Sequence, residues 1–165
     1  MIKTGSVLAV LAAATAVAAG PAQAAPADLE CTATQVATEL IPGGGAAGVR
    51  AGYLQITALP GEACTLAGVA PVRLVGAHDV LVGHDAPADT PTVYLRDGSS
   101  AYVRLTWTAR APWRQQTPLA VSIEPDSRVG EPVITADWTL GPVDATWISH
   151  TIHVGPATAG PAPRS

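Results

Sequence analysis

Apolar residues recur at every second position through four stretches of this chain, and almost nowhere at helical spacing. Ala101, Val103, Leu105 and Trp107 alternate with Tyr102, Arg104, Thr106 and Thr108. Leu54, Ile56 and Ala58 alternate with Tyr53, Gln55 and Thr57. Leu119, Val121 and Ile123 form a third row, and Ile134, Ala136, Trp138 and Leu140 a fourth. Successive side chains of a strand point to opposite faces, so this period marks strands with one buried face. Shorter candidates lie at Thr32 to Leu40, Val72 to Val75, Val80 to Val82 and Thr92 to Leu95, and a last strand runs from about Ala145 to Val154. Between them, Pro42-Gly43-Gly44-Gly45, Pro60-Gly61, Asp97-Gly98 and Gly141-Pro142 carry turn chemistry. Asp97-Gly98, followed by Ser99-Ser100, joins two alternating runs and reads as a hairpin. About nine short strands at this spacing describe an all-β sandwich. An up-and-down barrel is the alternative, and the uneven loop lengths favour Greek-key crossings. No internal repeat is visible.

Residues 1–24 read as a removable secretory signal. Lys3 supplies the positive end, and an apolar run of roughly 13 residues follows from Val7 to Ala19. Ala22-Gln23-Ala24 then places small residues where a signal peptidase reads. The apolar run is shorter than the ~20 residues a membrane span needs, and no later segment could span. A lipid-attachment cysteine would follow a Leu-small-small pattern, whereas Cys31 follows Asp28-Leu29-Glu30. What remains is one β-sandwich domain over 25–155 and a Gly/Ala/Pro-rich tail, 156–165, expected to be disordered. A domain of that size buries a real core without a metal.

The chain has 9 Lys+Arg against 13 Asp+Glu, a net charge of −4, and loss of Lys3 with the signal makes it more negative still. Such a balance has no electrostatic footprint for nucleic acid and argues against docking on an anionic membrane. With 13% charged and 48% hydrophobic residues, the composition excludes global disorder. Phe is absent, so Trp, Leu, Ile and Val must build the core. Asn is absent too, which removes N-x-[ST] glycosylation. The abundant Ala, Gly, Pro, Val, Thr and Arg share G/C-rich codons and point to a GC-rich bacterial genome. In an oxidising destination, the two cysteines, Cys31 and Cys64, read as one disulfide closing a loop of about 33 residues. The alternative, a metal or catalytic thiol pair, would use C-x-x-C spacing, which is absent.

Residues that could carry chemistry are few. His150 and His153, three apart on a strand, point to opposite faces and do not share a metal. His78-Asp79 and His84-Asp85 form a local echo separated by about 20 Å of strand. A hairpin folding between them would gather His78, Asp79, His84 and Asp85 into a metal or hydrolytic site. Otherwise they are polar loop ends flanking Val80-Leu81-Val82. Ser99 and Ser100 lack the G-x-S-x-G elbow. Gly43-Gly44-Gly45 and Gly48 lack the Lys-Ser/Thr of a phosphate loop and read as an inter-strand loop. Glu124, Asp126 and Glu131 lack calcium-loop spacing and read as a solvated loop. Trp107 and Trp138 sit in inward rows and belong to the core. Trp113, after Pro112 and beside Arg114, lies in a loop, and Trp147 falls on the row opposite Ile148 and Ile152. Exposed aromatics anchor contacts, so Trp113, Arg114 and Trp147 are the candidate contact surface.

Four segments together resemble a family of secreted bacterial proteins, domain of unknown function 4232. They are a cysteine near the mature start followed by Gly45-Ala46-Ala47-Gly48, then Cys64-Thr65-Leu66-Ala67-Gly68. Leu95-Arg96-Asp97-Gly98-Ser99-Ser100-Ala101 follows before a strand ending in Trp, and Val154-Gly155-Pro156 with Gly160 closes the chain. Ala58, Ala70-Pro71 and Asp97 depart from the family pattern. The resemblance implies an immunoglobulin-like antiparallel β-sandwich, secretion or envelope attachment, and a disulfide between the motif cysteines. It implies no activity, and no catalytic residue carries over. The expected function is a secreted, non-enzymatic binding module without cofactor, acting at the cell envelope or in the medium. Its partner would be an envelope glycan or an extracellular protein, held by loops at the sandwich ends. A protease-inhibitor variant of this reading would use the loop Pro60 to Ala63. The alternative is a secreted metal-handling protein or hydrolase built on the His78/His84 region.

Overall fold

The computed structural model describes residues 29–124, 132–146 and 151–164. These form strands β1 (Val36–Ala46), β2 (Val49–Ala58), β3 (Ala63–Leu66), β4 (Val72–Val75), β5 (Val82–His84), β6 (Val93–Arg96) and β7 (Ser100–Thr108). A single 3-10 turn (Pro112–Arg114) precedes β8 (Gln115–Gln116), β9 (Ala120–Ile123), β10 (Ile134–Asp137), β11 (Val143–Asp144) and β12 (Ile152–Ala159). The fold is all-β. A five-stranded sheet has the order β1-β2-β7-β12-β5 and a three-stranded sheet the order β10-β9-β4; β11-β8 and β3-β6 are two-stranded. Every ladder is antiparallel except that of β5 on β12. The two longest alternating rows, on β2 and β7, lie side by side in the main sheet, with Leu54 opposite Val103.

Period two becomes burial as expected. Leu54, Ile56, Val103, Leu105, Ile152 and Val154 from the main sheet, and Val72, Val121, Ile123 and Ile134 from the other, are at most 2% exposed and join one core. Each such side chain contributes on the order of 1.5–3 kcal/mol by leaving water. With no Phe available, an edge-on tryptophan pair fills one end of the core. Trp107 and Trp138 have ring centroids 5.4 Å apart. Their indole N–H groups donate to the carbonyls of Pro142 (3.0 Å) and Gly141 (2.6 Å), so neither polar handle is left unpaired. Cys31 and Cys64 form the expected disulfide, pinning the start of the described chain to β3.

Several sequence expectations need correction. Gly43-Gly44-Gly45 is strand, not loop: β1 runs through it with a bulge between Pro42 and Gly45. A Cβ on Gly43 would sit 2.8 Å from the Tyr53 ring and 3.2 Å from the β2 backbone, so the glycine allows close approach. The hairpin turns at Ala47-Gly48 instead, both at positive φ (51° and 77°). That is the two-residue geometry matching strand twist. Ala47 is strained there, whereas Asn tolerates it. Ala47→Asn is therefore expected to raise stability by roughly 0.5–1 kcal/mol, read from the urea midpoint.

Asp97-Gly98 is a tight turn but joins no hairpin. β6 leaves to pair with β3, while β7 pairs with β2 and β12. Within the turn, the N–H of Arg96 donates to Ser99 Oγ and the N–H of Ser99 to the Arg96 carbonyl, both 2.8 Å. Leu119 is 71% exposed rather than inward, because the pleat begins only at Ala120; its side chain lies against Gly76. The last strand begins at Ile152, not Ala145, and residues 156–159 belong to it rather than to a disordered tail. A register shift between Val154 and Ala157 passes Pro156, which has no N–H to give, and pairing resumes at Ala157 opposite Val103. Beyond the strand, Ala162 is buried and its N–H donates to Gln55 Oε1 at 2.9 Å. The proposed signal, 1–24, lies outside the described residues.

Candidate functional site

One end of the sandwich gathers the tip of the β1–β2 hairpin, the chain leaving β7 and the β10–β11 connection. Arg50 belongs to the inward row of β2, opposite Trp107 of β7. At this end of the sheet the row emerges from the core, and Arg50 is exposed. A groove of about 530 Å³ opens here, lined by Gly44, Gly45, Arg50, Trp107, Thr139 and Leu140 among others. The next segment closes on the hairpin tip: the N–H of Ala109 donates to the Gly48 carbonyl at 2.9 Å, and the Arg110 side chain lies directly over Gly48. Gly48 has no room for a Cβ beneath that side chain and sits at φ 77°, so glycine is required there twice over.

From Arg110 the chain turns sharply, and a buried carboxylate holds the turn. Asp144 of β11 is 8% exposed. It accepts hydrogen bonds from the backbone N–H of Arg110 (2.9 Å) and of Ala111 (3.0 Å), and from Gln115 Nε2 (3.2 Å). Burial pushes the Asp144 pKa up, but these bonds and one from the Thr108 side chain outweigh it, leaving the carboxyl below its usual 3.8. The 3-10 turn follows, closed by the N–H of Arg114 on the Ala111 carbonyl (2.8 Å) and by Ala145 N–H on the Arg114 carbonyl (2.6 Å). With its backbone held, the turn presents Trp113, 81% exposed, beside an exposed Arg114.

Asp144→Ala leaves two backbone N–H groups without their acceptor and is expected to destabilise the domain by about 2 kcal/mol in urea unfolding. The pH dependence follows from the sign of the shift. A carboxyl whose folded pKa is depressed stabilises fully above its unfolded value and loses that contribution as pH falls through the lower folded value. The wild type is therefore expected to lose stability below about pH 4 more steeply than Asp144→Ala.

Of the sequence candidates, Trp113 and Arg114 stand together at this end, while Trp147 lies outside the described residues. His78 joins the same end through its backbone, its N–H donating to Gln116 Oε1 at 2.6 Å. His84 and Asp85 do not meet it. Asp85 instead lies 3.0 Å from His153 Nδ1, across the parallel ladder of β5 and β12. No group of three or more metal-ligating side chains occurs among the described residues, so His78, Asp79, His84 and Asp85 do not converge. Ser99 and Ser100 are engaged locally, Ser100 with Thr57 Oγ1 at 2.8 Å. Glu124 pairs with Arg73 at 2.9 Å, whereas Asp126, Glu131 and His150 lie outside the described residues. The loop from Pro60 to Ala63 is tied down at Gly61, whose N–H donates to Asp97 Oδ1 at 2.9 Å.

Sequence reading missed Arg50, Arg110 and Asp144. Arg50 carried a signal: it heads the row Gly52, Leu54, Ile56, and a cation on an apolar row marks where that row leaves the core. Asp144 carried none, because its donors are more than 28 positions away. Among the described residues no helix is long and apolar enough to cross a membrane. A family model described as Domain of unknown function (DUF4232) matches residues 31–158. No curated protein and no solved structure matches the chain.

Proposed function

The chain belongs to the family described as Domain of unknown function (DUF4232), and because that description carries no chemistry, we propose from its own residues that it is a secreted bacterial binding domain. In this reading it is not an enzyme. It contacts an envelope glycan or an extracellular protein through the sandwich end that bears Trp113 and Arg114, on an immunoglobulin-like scaffold. The carrying observation is Trp113: a large aromatic, 81% exposed, on a turn whose backbone is held by Asp144 and Ala145. Exposing an indole costs free energy in water, and a rigid anchor loses little entropy on binding. Export is supported by the residue pattern of the first 24 positions and by the buried disulfide, which persists in oxidising compartments. A five-stranded sheet with a parallel edge strand, facing a smaller antiparallel sheet, supports the scaffold assignment.

The test is co-sedimentation of the mature protein with washed envelope from its producer. Saturable binding is expected. Trp113→Ala is expected to weaken it at least tenfold while changing stability by less than about 0.5 kcal/mol, since the side chain leaves no cavity. Binding that is absent, or unchanged in Trp113→Ala, would refute the reading.

A further inference from the structure

Arginines collect at this end although the chain as a whole is acidic. Arg50, Arg110 and Arg114 form no ion pair with any described residue, although the chain carries more acids than bases. By contrast, Arg73 is paired with Glu124, and Arg164 lies 4.0 Å from Glu39. Two of the arginines meet the hairpin tip, and the third follows on the turn that leaves it. Arg50 is two residues past Gly48, Arg110 lies over Gly48, and the turn to Arg114 springs from Arg110. The acid built into this end, Asp144, is turned inward onto the N–H groups of Arg110 and Ala111 and does not neutralise the guanidinium groups. Asp79, on the neighbouring loop, forms no ion pair either. Arg50 walls the groove with Gly44 and Gly45, and Trp113 stands exposed on the turn next to Arg114.

We infer that the ligand of this end is an acidic polysaccharide, its carboxylates taken by Arg50, Arg110 and Arg114 and a sugar ring stacked on Trp113. This deepens the binding-domain reading and rests on it. Guanidinium forks match carboxylates in pairs, which gives a polyanion both attraction and orientation. A flat indole face suits the apolar face of a pyranose ring, and the groove, of about 530 Å³, has the volume of a site for one or two sugar units. An acidic peptide would satisfy the arginines but would need neither the exposed ring of Trp113 nor the open, glycine-walled groove at Arg50.

The experiment titrates the mature protein with polygalacturonate, with neutral dextran and with poly-L-glutamate. Polygalacturonate is expected to bind at least tenfold more tightly than either of the others, with affinity falling as salt rises from 50 to 500 mM. Arg50→Glu/Arg114→Glu is expected to weaken that binding at least tenfold. Arg50→Gln/Arg114→Gln serves should the charge reversal disturb folding. Arg104→Glu, a single charge reversal on the outer face of the main sheet, should stay within about twofold because screening confines the effect, whereas Arg50→Glu alone should already weaken binding beyond that. Equal binding of poly-L-glutamate, equal binding of dextran, or no binding of polygalacturonate each overturns the inference. Envelope binding that depends on Trp113 without polygalacturonate binding would sink the inference alone. Polygalacturonate binding without envelope binding would sink the envelope reading alone.

Discussion

Trp107→Ala is expected to cost about 3–5 kcal/mol of unfolding free energy, one of the two largest single effects in this domain. The ring is 2% exposed and stacks edge-on with Trp138 at 5.4 Å. Its removal forfeits the transfer free energy of the indole and leaves a cavity that Trp138 alone cannot fill. It also orphans the Pro142 carbonyl that accepts the indole N–H. Since domains are stable by only about 5–15 kcal/mol, the variant should unfold at markedly lower urea, with its slope unchanged. Trp107→Phe separates the two causes: it keeps most of the volume, loses the hydrogen bond, and should fall between the two. A loss below 1 kcal/mol for Trp107→Ala would mean that the tryptophan pair does not close the core as described. Because Trp107 also lines the groove with Arg50, the same variant should weaken the proposed polysaccharide binding.

The second large effect is expected from the disulfide. Cys31 and Cys64 are 33 residues apart in sequence, and the loop they close contains the whole β1–β2 hairpin. Constraining a loop of that length removes chain entropy from the unfolded state worth roughly 3–4 kcal/mol. Replacing both cysteines by alanine should therefore lower the melting temperature by on the order of 10 °C. The folded ends stay linked by backbone bonds, Cys31 N–H to the Thr65 carbonyl (2.9 Å) and Thr65 N–H to the Leu29 carbonyl (2.8 Å). The alanine variant should thus reach the same fold, with an unchanged far-ultraviolet spectrum at low temperature. A melting temperature within 2–3 °C of the wild type would show that the unfolded chain already holds this loop closed.

Much of the architecture is legible in the order of the residues. The rows on β2, β7 and β10 and the core tryptophans follow from alternation alone, because which face a residue occupies depends only on its parity along the strand. The disulfide followed from two cysteines and the expectation of an oxidising destination. The failures share a cause. Gly43-Gly44-Gly45 looks like a turn to any local rule, yet β2 pairs on either side of it, with Pro42 opposite Gly52 and Gly45 opposite Arg50, and carries the strand through. The tail looks too rich in Gly, Ala and Pro to order, yet β7 offers it a partner at Val103 and Ala101. Asp97-Gly98 has hairpin chemistry, but β3 outcompetes β7 for β6.

The candidate site divides in the same way. Trp113 and Arg114 could be chosen from their loop position beside Pro112, and Arg50 from its place at the head of an apolar row. That they belong to one end of one molecule could not. Arg110 meets Gly48, and Asp144 meets Arg110 across a separation of 34 residues, through contacts no local pattern encodes. Periodicity and turn chemistry are properties of neighbouring residues and are written in the order of the chain. Sheet order, the buried carboxylate beneath the turn and the approach of Arg110 to the hairpin tip arise only when distant strands compete for the same hydrogen-bonding edges and the winning arrangement brings their loops together.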